Sequence, residues 1–318
     1  MLVKTKNDLM KNLQGEGFVF SDLQLIHEGN YETFDADWNY KDIPHLHFLH
    51  QLVEAYPSVI SDRLITSINI QKILGFSVPV SVINYHAGYN TQNYYATLFV
   101  FVLLIETHWE NIGEIRTRVT TNYSIGSHRI FKIFHPFVKW LVKRNYANLM
   151  SEDIPMRERR GQLRKWGYSF KSDINPHSYI KTMNLSEKNV ISPGGRELAD
   201  LSLELEKILP ADGEFLVGES DHLGLKLVRE KNILLLFPRL CEHEGACLDK
   251  QKLQNGKINC PWHGKKLKPL ANFDLNQSNA EFKNSRYDIK FVSGVLRIIF
   301  LRHKLMTPTS SCDLVDQH

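Results

Sequence analysis

The sequence predicts an α+β protein of two domains, in which an antiparallel sheet closed by a long helix precedes a small all-β domain. At about 150 residues a domain, the 318 residues suffice for two units that each bury a core. Alternating patterns typical of strands occur in both halves, and a helical apolar pattern lies between them at 134–142. With 42% hydrophobic and 23% charged residues, the composition excludes a disordered or fibrous chain.

Three segments of the first half are predicted strands. Apolar or β-branched residues occupy every second position over 115–123, which is the pattern of a strand with one buried face. A weaker alternation over 64–70 predicts a second strand, whose buried face is expected to carry Leu64, Thr66, Ile68 and Ile70. The segment 98–105 is apolar throughout and predicts a central strand. Its length is less than half of the roughly 18–20 residues that a membrane span needs, so we expect no transmembrane segment.

A long helix is predicted to follow these strands. Apolar residues recur at helical spacing over 134–142, and Pro136 suits the first turn of a helix, where its missing N–H leaves no hydrogen bond unmade. We expect this helix to lie across the sheet. A curved antiparallel sheet closed in this way encloses a cavity.

The second half is predicted to begin after a polar linker. Residues 173–195 are rich in Asn, Ser and Lys and end in Pro-Gly-Gly, and residues 196–209 suggest a short amphipathic helix. Short strands separated by turn residues follow, at 215–217, 225–228, 233–237, 287–292 and 295–301. Ser293-Gly294 between the last two is a two-residue hairpin signal. The predicted limits are 1–175 for the first domain, 176–209 for the linker and short helix, 210–305 for the second domain and 306–318 for a tail.

The charge pattern argues against a nucleic-acid binder. The formal net charge is only +4, whereas such proteins usually carry a stronger and clustered excess. One local basic cluster lies beside three acids, and we interpret it as a solvated or subunit-contacting helix face. Its members are Arg157, Arg159, Arg160, Arg164 and Lys165. The first eight residues lack the apolar stretch of a signal peptide, so we expect a cytoplasmic protein.

Cysteine placement gives the strongest chemical signal. Four cysteines are too few for a disulfide scaffold, and Cys312 stands alone. Two of the others each lie close to a histidine, in the segments Cys241-Glu242-His243 and Cys260-Pro261-Trp262-His263. Two thiolates and two imidazoles fit either a four-coordinate zinc ion or a [2Fe–2S] cluster with cysteines on one iron and histidines on the other. Zinc modules usually pair Cys with Cys and His with His, whereas each loop here carries one of each. The spacing therefore favours the cluster.

These two loops closely resemble the Rieske iron–sulfur family over about residues 215–301. The resemblance implies that Cys241 and Cys260 bind one iron and that His243 and His263 bind the other. Glycines at 245 and 264 agree with it, because loop amides must approach the bridging sulfides closely. Respiratory-chain members add a disulfide between the loops, but Trp262 stands where one of its halves is expected. Cys247 is therefore expected to be only a small buried side chain.

A second metal site is suggested by three histidines within residues 42–50, which read Asp-Ile-Pro-His-Leu-His-Phe-Leu-His. Spacing alone favours His47 with His50, since residues three apart share one face of a helix. Histidines in such an apolar stretch are also consistent with core packing. The residues by themselves leave both interpretations open.

Rieske oxygenases pass cluster electrons to a mononuclear iron held by two His and one carboxylate, in a helix-grip domain of the START-like superfamily. Their motif of Asp, two residues, His, four residues and His is matched by Asp42, His45 and His50. The third ligand of the family is an Asp near the end of the domain, and the resemblance assigns it to Asp153, with Glu152 as the nearest rival. On a regular helix, residues five apart point about 140° away from each other, so His45 and His50 require a distorted or ending helix.

The resemblance gives Asp42 a different role. In the resembled enzymes this carboxylate hydrogen-bonds both an iron-ligating His and a Rieske-ligating His, and such a partner also fixes the tautomer of the imidazole. The alternative is a helix N-cap before Pro44. Family members place the Rieske domain first, whereas this chain places it last. The inverted order leaves open whether the cluster reaches the iron within one subunit or in a neighbouring one.

The resemblance implies the terminal oxygenase component of a Rieske non-haem iron oxygenase. A separate NAD(P)H-dependent reductase or ferredoxin is expected, because the chain contains no flavin- or nicotinamide-binding glycine motif. The cofactors are expected to be a [2Fe–2S] cluster and a mononuclear Fe(II), which uses O₂ to hydroxylate a small apolar substrate, aromatic, lipid or polycyclic. Trimers are common in the family. The alternative is a Rieske electron-transfer protein fused to a non-catalytic START-like domain that binds a lipid or aromatic compound.

Overall fold

The computed structural model describes residues 5–50, 53–88, 90–170, 172, 199–218, 224–284 and 286–301. The first domain contains α1 (Lys6–Gly15), β1 (Phe18–Gly29), α2 (Thr33–Lys41), α3 (His45–Phe48), β2 (Val53–Ile60), β3 (Leu64–Ile73), β4 (Phe76–Gly88), β5 (Thr91–Leu98), β6 (Phe101–Gly113), β7 (Arg116–His128), a 3-10 helix (Arg129–Phe134) and α4 (His135–Lys165). The second contains β8 (Leu201–Glu204), α5 (Leu205–Ile208), β9 (Gly213–Val217), β10 (Leu225–Glu230), β11 (Ile233–Pro238), β12 (Leu253–Gln254), β13 (Lys257–Asn259), β14 (Lys266–Leu267), β15 (Ala271–Asp274), β16 (Asn279–Lys283), β17 (Tyr287–Val292) and β18 (Val295–Phe300).

The first domain is one seven-stranded antiparallel sheet with α4 lying across its inner face. The strand order is β1-β7-β6-β5-β4-β3-β2, so every neighbour except β1 and β7 is adjacent in sequence. Val138 and Leu141 of α4 pack against a cluster of sheet residues that includes Val80 and Leu98. This architecture confirms the predicted α+β class, with the antiparallel sheet closed by a long C-terminal helix.

Helix α4 begins where the sequence predicts, and a glycine follows its last turn. Pro136 occupies the first turn, where its fixed φ suits a helix. Gly167 follows the last turn with a φ of +84° and donates its N–H to the carbonyl of Arg164, which gives the left-handed conformation that commonly ends helices.

Two of the predicted strands of this sheet need correction. Residues 98–105 are not one central strand, because Phe99 and Val100 form the turn between β5 and β6. In β3 the strand is confirmed but its buried face is the opposite one, which carries Ile65, Ser67 and Asn69. The inner face borders a cavity and accepts polar side chains there, so apolar alternation marked the wrong face.

The second domain packs two four-stranded antiparallel sheets against each other. Their orders are β15-β11-β10-β9 and β16-β17-β18-β8, and Leu227, Leu236, Ile289 and Ile298 lie in the core between them. The hairpin predicted at 293–294 is confirmed: Ser293 and Gly294 have φ values of +48° and +83°, as its two-residue turn requires. A third sheet, β12-β13-β14, supports the second Cys-His loop.

The predicted helix at 196–209 is mostly wrong. Residues 201–204 form β8, which pairs with β18, and within the described part of this segment, 199–209, only Leu205–Ile208 is helical. The alternation of apolar and polar residues in Leu-Ser-Leu-Glu at 201–204 forms a strand because β18 offers a sheet edge for pairing. Most of the predicted linker, from 173 to 198, lies outside the described residues, as does the predicted tail.

The two domains meet along α2, α3 and the second half of α4. The rings of Trp38 and Trp262 lie 5.8 Å apart between centroids, and Met156 of α4 belongs to the same buried cluster. None of the helices within the described residues is both long enough and apolar enough to cross a bilayer.

Candidate metal centres and the cavity beside them

The two Cys-His loops share one backbone design. In the first, the N–H of Cys241 donates to the carbonyl of Ala246 and the N–H of Gly245 to that of Cys241, both at 2.8 Å. In the second loop, the N–H of Cys260 donates to the carbonyl of Lys265 and the N–H of Gly264 to that of Cys260, again both at 2.8 Å. Both glycines have positive φ, +91° and +60°, where a side chain is disfavoured. The loops therefore present their Cys and His side chains from matching frames.

The four side chains converge in a buried site. Cys241, His243, Cys260 and His263 are all fully or almost fully buried. The two histidine Nδ1 atoms lie 3.3 Å apart, close to the roughly 3.4 Å expected for two ligands about 2.1 Å from one tetrahedral metal ion. Cys260 Sγ lies 3.9 Å from His263 Nδ1. Hydrogen bonding between the thiols lowers the pKa of Cys241 and raises that of Cys260, so in the metal-free chain the pair readily shares a proton.

Asp42 connects this site to the first domain. It follows the last residue of α2, and its Oδ2 lies 2.6 Å from His263 Nε2 and 3.6 Å from His45 Nδ1. Burial alone would raise the pKa of Asp42, but His263 and His45 hold it below its usual value. The alternative N-cap role is not observed, because α3 has Pro44 before its first residue and no side-chain cap. One carboxylate oxygen thus faces an imidazole from each domain.

His45, His50 and Asp153 form a second convergent site. His45 Nε2 and His50 Nε2 lie 3.3 and 3.2 Å from the same Asp153 Oδ1, and their ligand atoms all lie within 4.8 Å of one another. Neither Nε2 makes a hydrogen bond, although both are buried. Ligands at 90° around a metal ion about 2.1 Å away lie about 3 Å apart, so the donor set fits an octahedral cation such as Fe(II).

The end of α3 brings the two histidines together despite their spacing. The helix ends at Phe48, so His50 lies beyond it and turns back toward His45, with the ring centroids 5.2 Å apart. His47 is exposed and packs on Phe48 and Tyr56 instead.

Carboxylates hold the two imidazoles in place. His50 Nδ1 bonds Glu152 Oε2 at 2.6 Å, so Glu152 contacts the site through His50. Burial lowers the pKa of His45, but Asp153 and Asp42 together raise it to about 9. Burial likewise opposes ionisation of Asp153, yet the adjacent His45 and His50 hold its pKa well below the ordinary range.

Two members of the basic cluster of α4, Arg157 and Arg160, are fully buried, which corrects its interpretation as a solvated or subunit-contacting face. Arg159 and Arg164 are half-buried, and Lys165 is exposed. Arg160 pairs with Asp35 at 3.0 Å and with Glu244, between His243 and Gly245 of the cluster loop. Both acids lie far away in the sequence, so the nearby acids that suggested solvation were misleading.

Two side chains beside the candidate metal centres were not predicted as part of them, Asn39 at the second site and Arg159 at the cluster loop. Asn39 donates its Nδ2 to Asp153 Oδ1 at 3.3 Å and accepts from Arg157 Nε at 2.8 Å. Arg159 donates from Nε to the carbonyl of Gly245 at 3.2 Å. Cys247, expected to be buried, is only half-buried. Neither Asn39 nor Arg159 belongs to a ligand spacing, so only the folded structure reveals them.

A cavity of about 230 Å³ opens onto the second site from between the sheet and α4. Its lining includes His45 and Asp153 of the second site and the polar side chains of Asn39, Asn69, Gln71, Asn84 and Tyr94. The far wall, toward the β3–β4 and β5–β6 turns, is mainly apolar and contains Ile73, Val80, Val82, Leu98, Leu103 and Leu141. The amide of Asn84 is almost fully buried and its Oδ1 has no hydrogen-bond partner. The space suits a mostly apolar molecule with a polar group.

Solved structures similar to this chain cover about half of it. The START superfamily protein from Mycobacterium smegmatis is 11% identical with a TM-score of 0.38, over 43% of this chain and 97% of that one. The Zhui aromatase/cyclase from Streptomyces sp. R1128 is 8% identical with a TM-score of 0.41, over 45% and 96%. Dicamba monooxygenase is 13% identical with a TM-score of 0.37, over 51% of this chain and 57% of that one.

Residues 206–283 match the protein family that is described as Rieske [2Fe-2S] domain. A search of curated proteins with the whole sequence found no match. The matched segment contains both Cys-His loops, whose four ligand-type side chains converge in the structure. Residues 206–283 are therefore a Rieske [2Fe–2S] domain, which in this chain follows a domain made of one antiparallel sheet and a long helix.

Proposed function

We propose that this chain is the terminal oxygenase of a Rieske-type system, in which a [2Fe–2S] cluster passes electrons to a mononuclear Fe(II). The observation that carries the proposal is the position of Asp42 Oδ2, which is 2.6 Å from a histidine of the Rieske loop and 3.6 Å from a histidine of the second site. An imidazole–carboxylate–imidazole link between two sites of metal-ligand composition has no evident purpose in a protein with one metal centre.

The assigned ligands are Cys241, His243, Cys260 and His263 for the cluster and His45, His50 and Asp153 for the Fe(II). Two buried histidines and one carboxylate, with unbonded nitrogens facing one oxygen, are the donor set that non-haem iron proteins use. An iron ion bound there would supply O₂ activation for oxidation of the substrate.

The surrounding residues prepare the two sites. Ionised Asp42 accepts a hydrogen bond from the Nε2–H group of His263. The Nδ1 atom of that ring is then left without a proton and is directed at the cluster site. Glu152 accepts from His50 Nδ1 in the same way and leaves its Nε2 directed at the Fe(II) site. Such carboxylate partners orient metal-binding imidazoles and increase their basicity.

The proposed path lies within one chain. Asp42 and His45 belong to the first domain and His263 to the second, so the inverted domain order still joins the two sites without a neighbouring subunit. Since the chain carries no nicotinamide- or flavin-binding glycine motif, a separate NAD(P)H-dependent reductase or a ferredoxin supplies the electrons.

The substrate proposed for the cavity is an apolar molecule with one polar group. A water needs about 10–15 Å³ of such space, so the cavity holds on the order of fifteen to twenty waters or a ligand of similar heavy-atom count. The apolar far wall suits a hydrocarbon body, and the Asn84 amide suits a hydroxyl or carbonyl group near the Fe(II) site.

Iron content tests the proposal directly. After anaerobic reconstitution, we expect three irons per chain in the wild type and two in the double variant His45→Ala/His50→Ala, with the visible spectrum of the cluster unchanged. The matched control is His47→Ala, which removes an exposed histidine from the same helix and should retain all three irons. Plasma emission spectrometry gives the counts.

Turnover separates this proposal from the alternative electron-transfer protein. With a reductase and ¹⁸O₂, the wild type should release a hydroxylated product of an apolar probe such as naphthalene that carries the label, and the double variant should not. Two irons per chain in the wild type, with no labelled product, would instead establish the Rieske carrier fused to a non-catalytic binding domain.

A further inference from the structure

A cluster of exposed apolar side chains lies at one end of the first domain, away from both candidate metal centres. The antiparallel order brings together the β3–β4 turn, the β5–β6 turn, the 3-10 helix and the first turns of α4, since β7 ends at His128 beside them. We call this the tip surface. It consists of Leu74, Phe76, Phe99, Val100, Ile130, Ile133, Phe134, Phe137 and Trp140.

The tip surface is unusually exposed for its composition. The exposed fractions are 79% for Phe99, 76% for Ile133, 74% for Phe76 and 69% for Ile130, and these side chains come from three separate elements. Scattered exposed apolar residues are normal, but a contiguous group of this kind marks an interaction site. The side chains project from turns and helix ends and do not line a groove.

The turn geometry does not explain the apolar residues. Leu74 and Phe99 have φ values of +50° and +52°, a left-handed conformation that favours Asn, Asp or Gly in hairpin turns. A bulky apolar residue there is costly. Because neither side chain is buried in the core, both serve a contact outside the fold.

The segments that form the tip surface carry charge of one sign. Residues 72–77, 97–105 and 128–151 contain no Asp or Glu, while the adjoining α1–β1 connection, next to His128, contributes Glu16. Their basic residues are Lys72, Arg129, Lys132, Lys139, Lys143 and Arg144. On α4, Phe137 stacks on Trp140 at 5.8 Å and the Arg144 guanidinium lies 5.7 Å from the Trp140 ring. Tryptophan beside basic residues is typical of segments that lie at a membrane–water interface.

We propose that the tip surface docks the protein onto an anionic lipid bilayer, with the apolar side chains inserted and the six basic residues facing the headgroups. The basic charge of the tip surface distinguishes between two possible partners, a second copy of this chain and a membrane. A second copy of this chain would place two basic surfaces against each other, whereas an anionic membrane surface is complementary.

The tip surface lies beside the apolar wall of the cavity. Ile73 and Leu98 line the cavity and directly precede the two apolar turns, and Leu141 of α4 follows Trp140. Leu141 and Asp153 are twelve residues apart, or about 18 Å along the helix, so the mainly apolar wall lies toward the tip surface, and His45 and Asp153 lie at the other end of the cavity. A membrane-borne apolar molecule would enter at this end, an addition that rests on the proposed function.

Vesicle binding by the full-length holoprotein tests the docking without any turnover, so it is independent of the oxygenase proposal. We expect co-sedimentation with vesicles of 70% phosphatidylcholine and 30% phosphatidylglycerol, at least tenfold stronger than with phosphatidylcholine alone and weakened by 0.5 M NaCl. Lipids brominated on the acyl chains should quench tryptophan fluorescence in the wild type. Trp140→Phe should lose most of that quenching.

Matched variants identify the surface. Ile133→Ser should reduce partitioning about fivefold or more, while Ile26→Ser, at an exposed position on the outer face of β1, should leave it unchanged. Lys132→Gln and Lys139→Gln should each reduce binding to the anionic vesicles roughly fivefold. Lys290→Gln in the Rieske domain is the charge control and should have no effect.

Three results would overturn the proposal. Equal binding to neutral and anionic vesicles, or loss of binding in Ile26→Ser as in Ile133→Ser, would show that the attachment is not made by this surface. Absence of vesicle binding together with a dimer in sedimentation velocity, abolished by Ile133→Ser, would assign the tip surface to self-association. Iron content and labelled product are measured separately, so their failure would not affect this outcome.

Discussion

At the scale of single residues, Asp42 has the most demanding position. Its Oδ2 faces two imidazoles, it is almost completely buried, and its Oδ1 has no hydrogen-bond partner. Burying a carboxylate without compensation is costly, so the two histidines must keep it ionised. The side chain therefore depends on both domains for its charge.

Replacing this carboxylate by an amide should slow electron transfer between the sites without emptying them. In Asp42→Asn we expect the visible cluster spectrum and three irons per chain to persist. Reoxidation of the dithionite-reduced cluster by O₂ should slow about 10–100-fold, the range typical of lost carboxylate partners of metal-binding histidines. Stopped-flow absorbance measures the rate.

The control for this change is Asp22→Asn, at an exposed aspartate of β1 that bonds only Ser124. It should reoxidise at the wild-type rate. An unchanged rate in Asp42→Asn would mean that electrons reach the Fe(II) site by another route, and a lost cluster spectrum would make Asp42 a structural residue.

Sequence reasoning found the residues of the sites better than their surroundings. The resemblance predicts Asp42, His45 and His50, and the structure brings both histidines next to Asp153 and Asp42 next to His45. Asn39 and Arg157 were missed as partners of Asp153 because a buried amide and guanidinium leave no periodic signal. Their positions follow from packing between elements that lie more than 100 residues apart.

At the scale of elements, α4 is the central support of the molecule. Its first turns pack on the sheet, its middle lines the cavity, and its second half carries Asp153 and the arginines that hold the Glu244 loop. Close packing against the chain before α2 depends on Gly161. A Cβ there would collide with the carbonyl oxygen of Asn30 and stand 2.8 Å from Tyr31 Cα.

Substituting this glycine should destabilise the protein although alanine favours helices. In Gly161→Ala the propensity gain of about 1 kcal/mol is outweighed by the clash with backbone, and we expect a net loss of about 1–3 kcal/mol in the free energy of unfolding. Urea denaturation followed by circular dichroism measures it. Gly15→Ala in α1, where nothing lies within 4 Å of the added Cβ, should be neutral or slightly stabilising.

Helices and strands could be predicted from the sequence where only one face of the element packs against a core. The helix from 134 and the hairpin at 293–294 follow from periodicity and turn chemistry that the tertiary structure does not override. The error at 98–105 has a physical cause, because an apolar turn at Phe99 breaks the rule that turns are polar. The error in β3 arises because a cavity wall admits Ser67 and Asn69 where a solid core would not.

At the scale of the whole molecule, the proposed electron path is contained in one chain, and complementation tests this. An Asp153→Ala chain keeps the cluster but lacks the Fe(II) site, and a Cys260→Ser chain lacks the cluster. Since His263, Asp42 and His45 of one chain are in contact, we expect a co-expressed mixture to reoxidise its clusters no faster than Asp153→Ala alone.

Recovery of the wild-type rate in that mixture would show that electrons cross between subunits. The control is a mixture of wild type with Cys260→Ser, whose rate per cluster should equal that of the wild type alone. Stopped-flow absorbance and sedimentation velocity on the same samples relate the rate to the state of association.

The segment of α4 from Asp153 to Arg160 connects the two candidate centres. It is about 10 Å long and carries the carboxylate of one site and the guanidinium that pairs with Glu244 in the loop of the other. Because both sites depend on this one segment, neither is expected to be lost before the other on heating. The proposed oxygenase activity and the folded structure should therefore disappear at the same temperature, in one cooperative step.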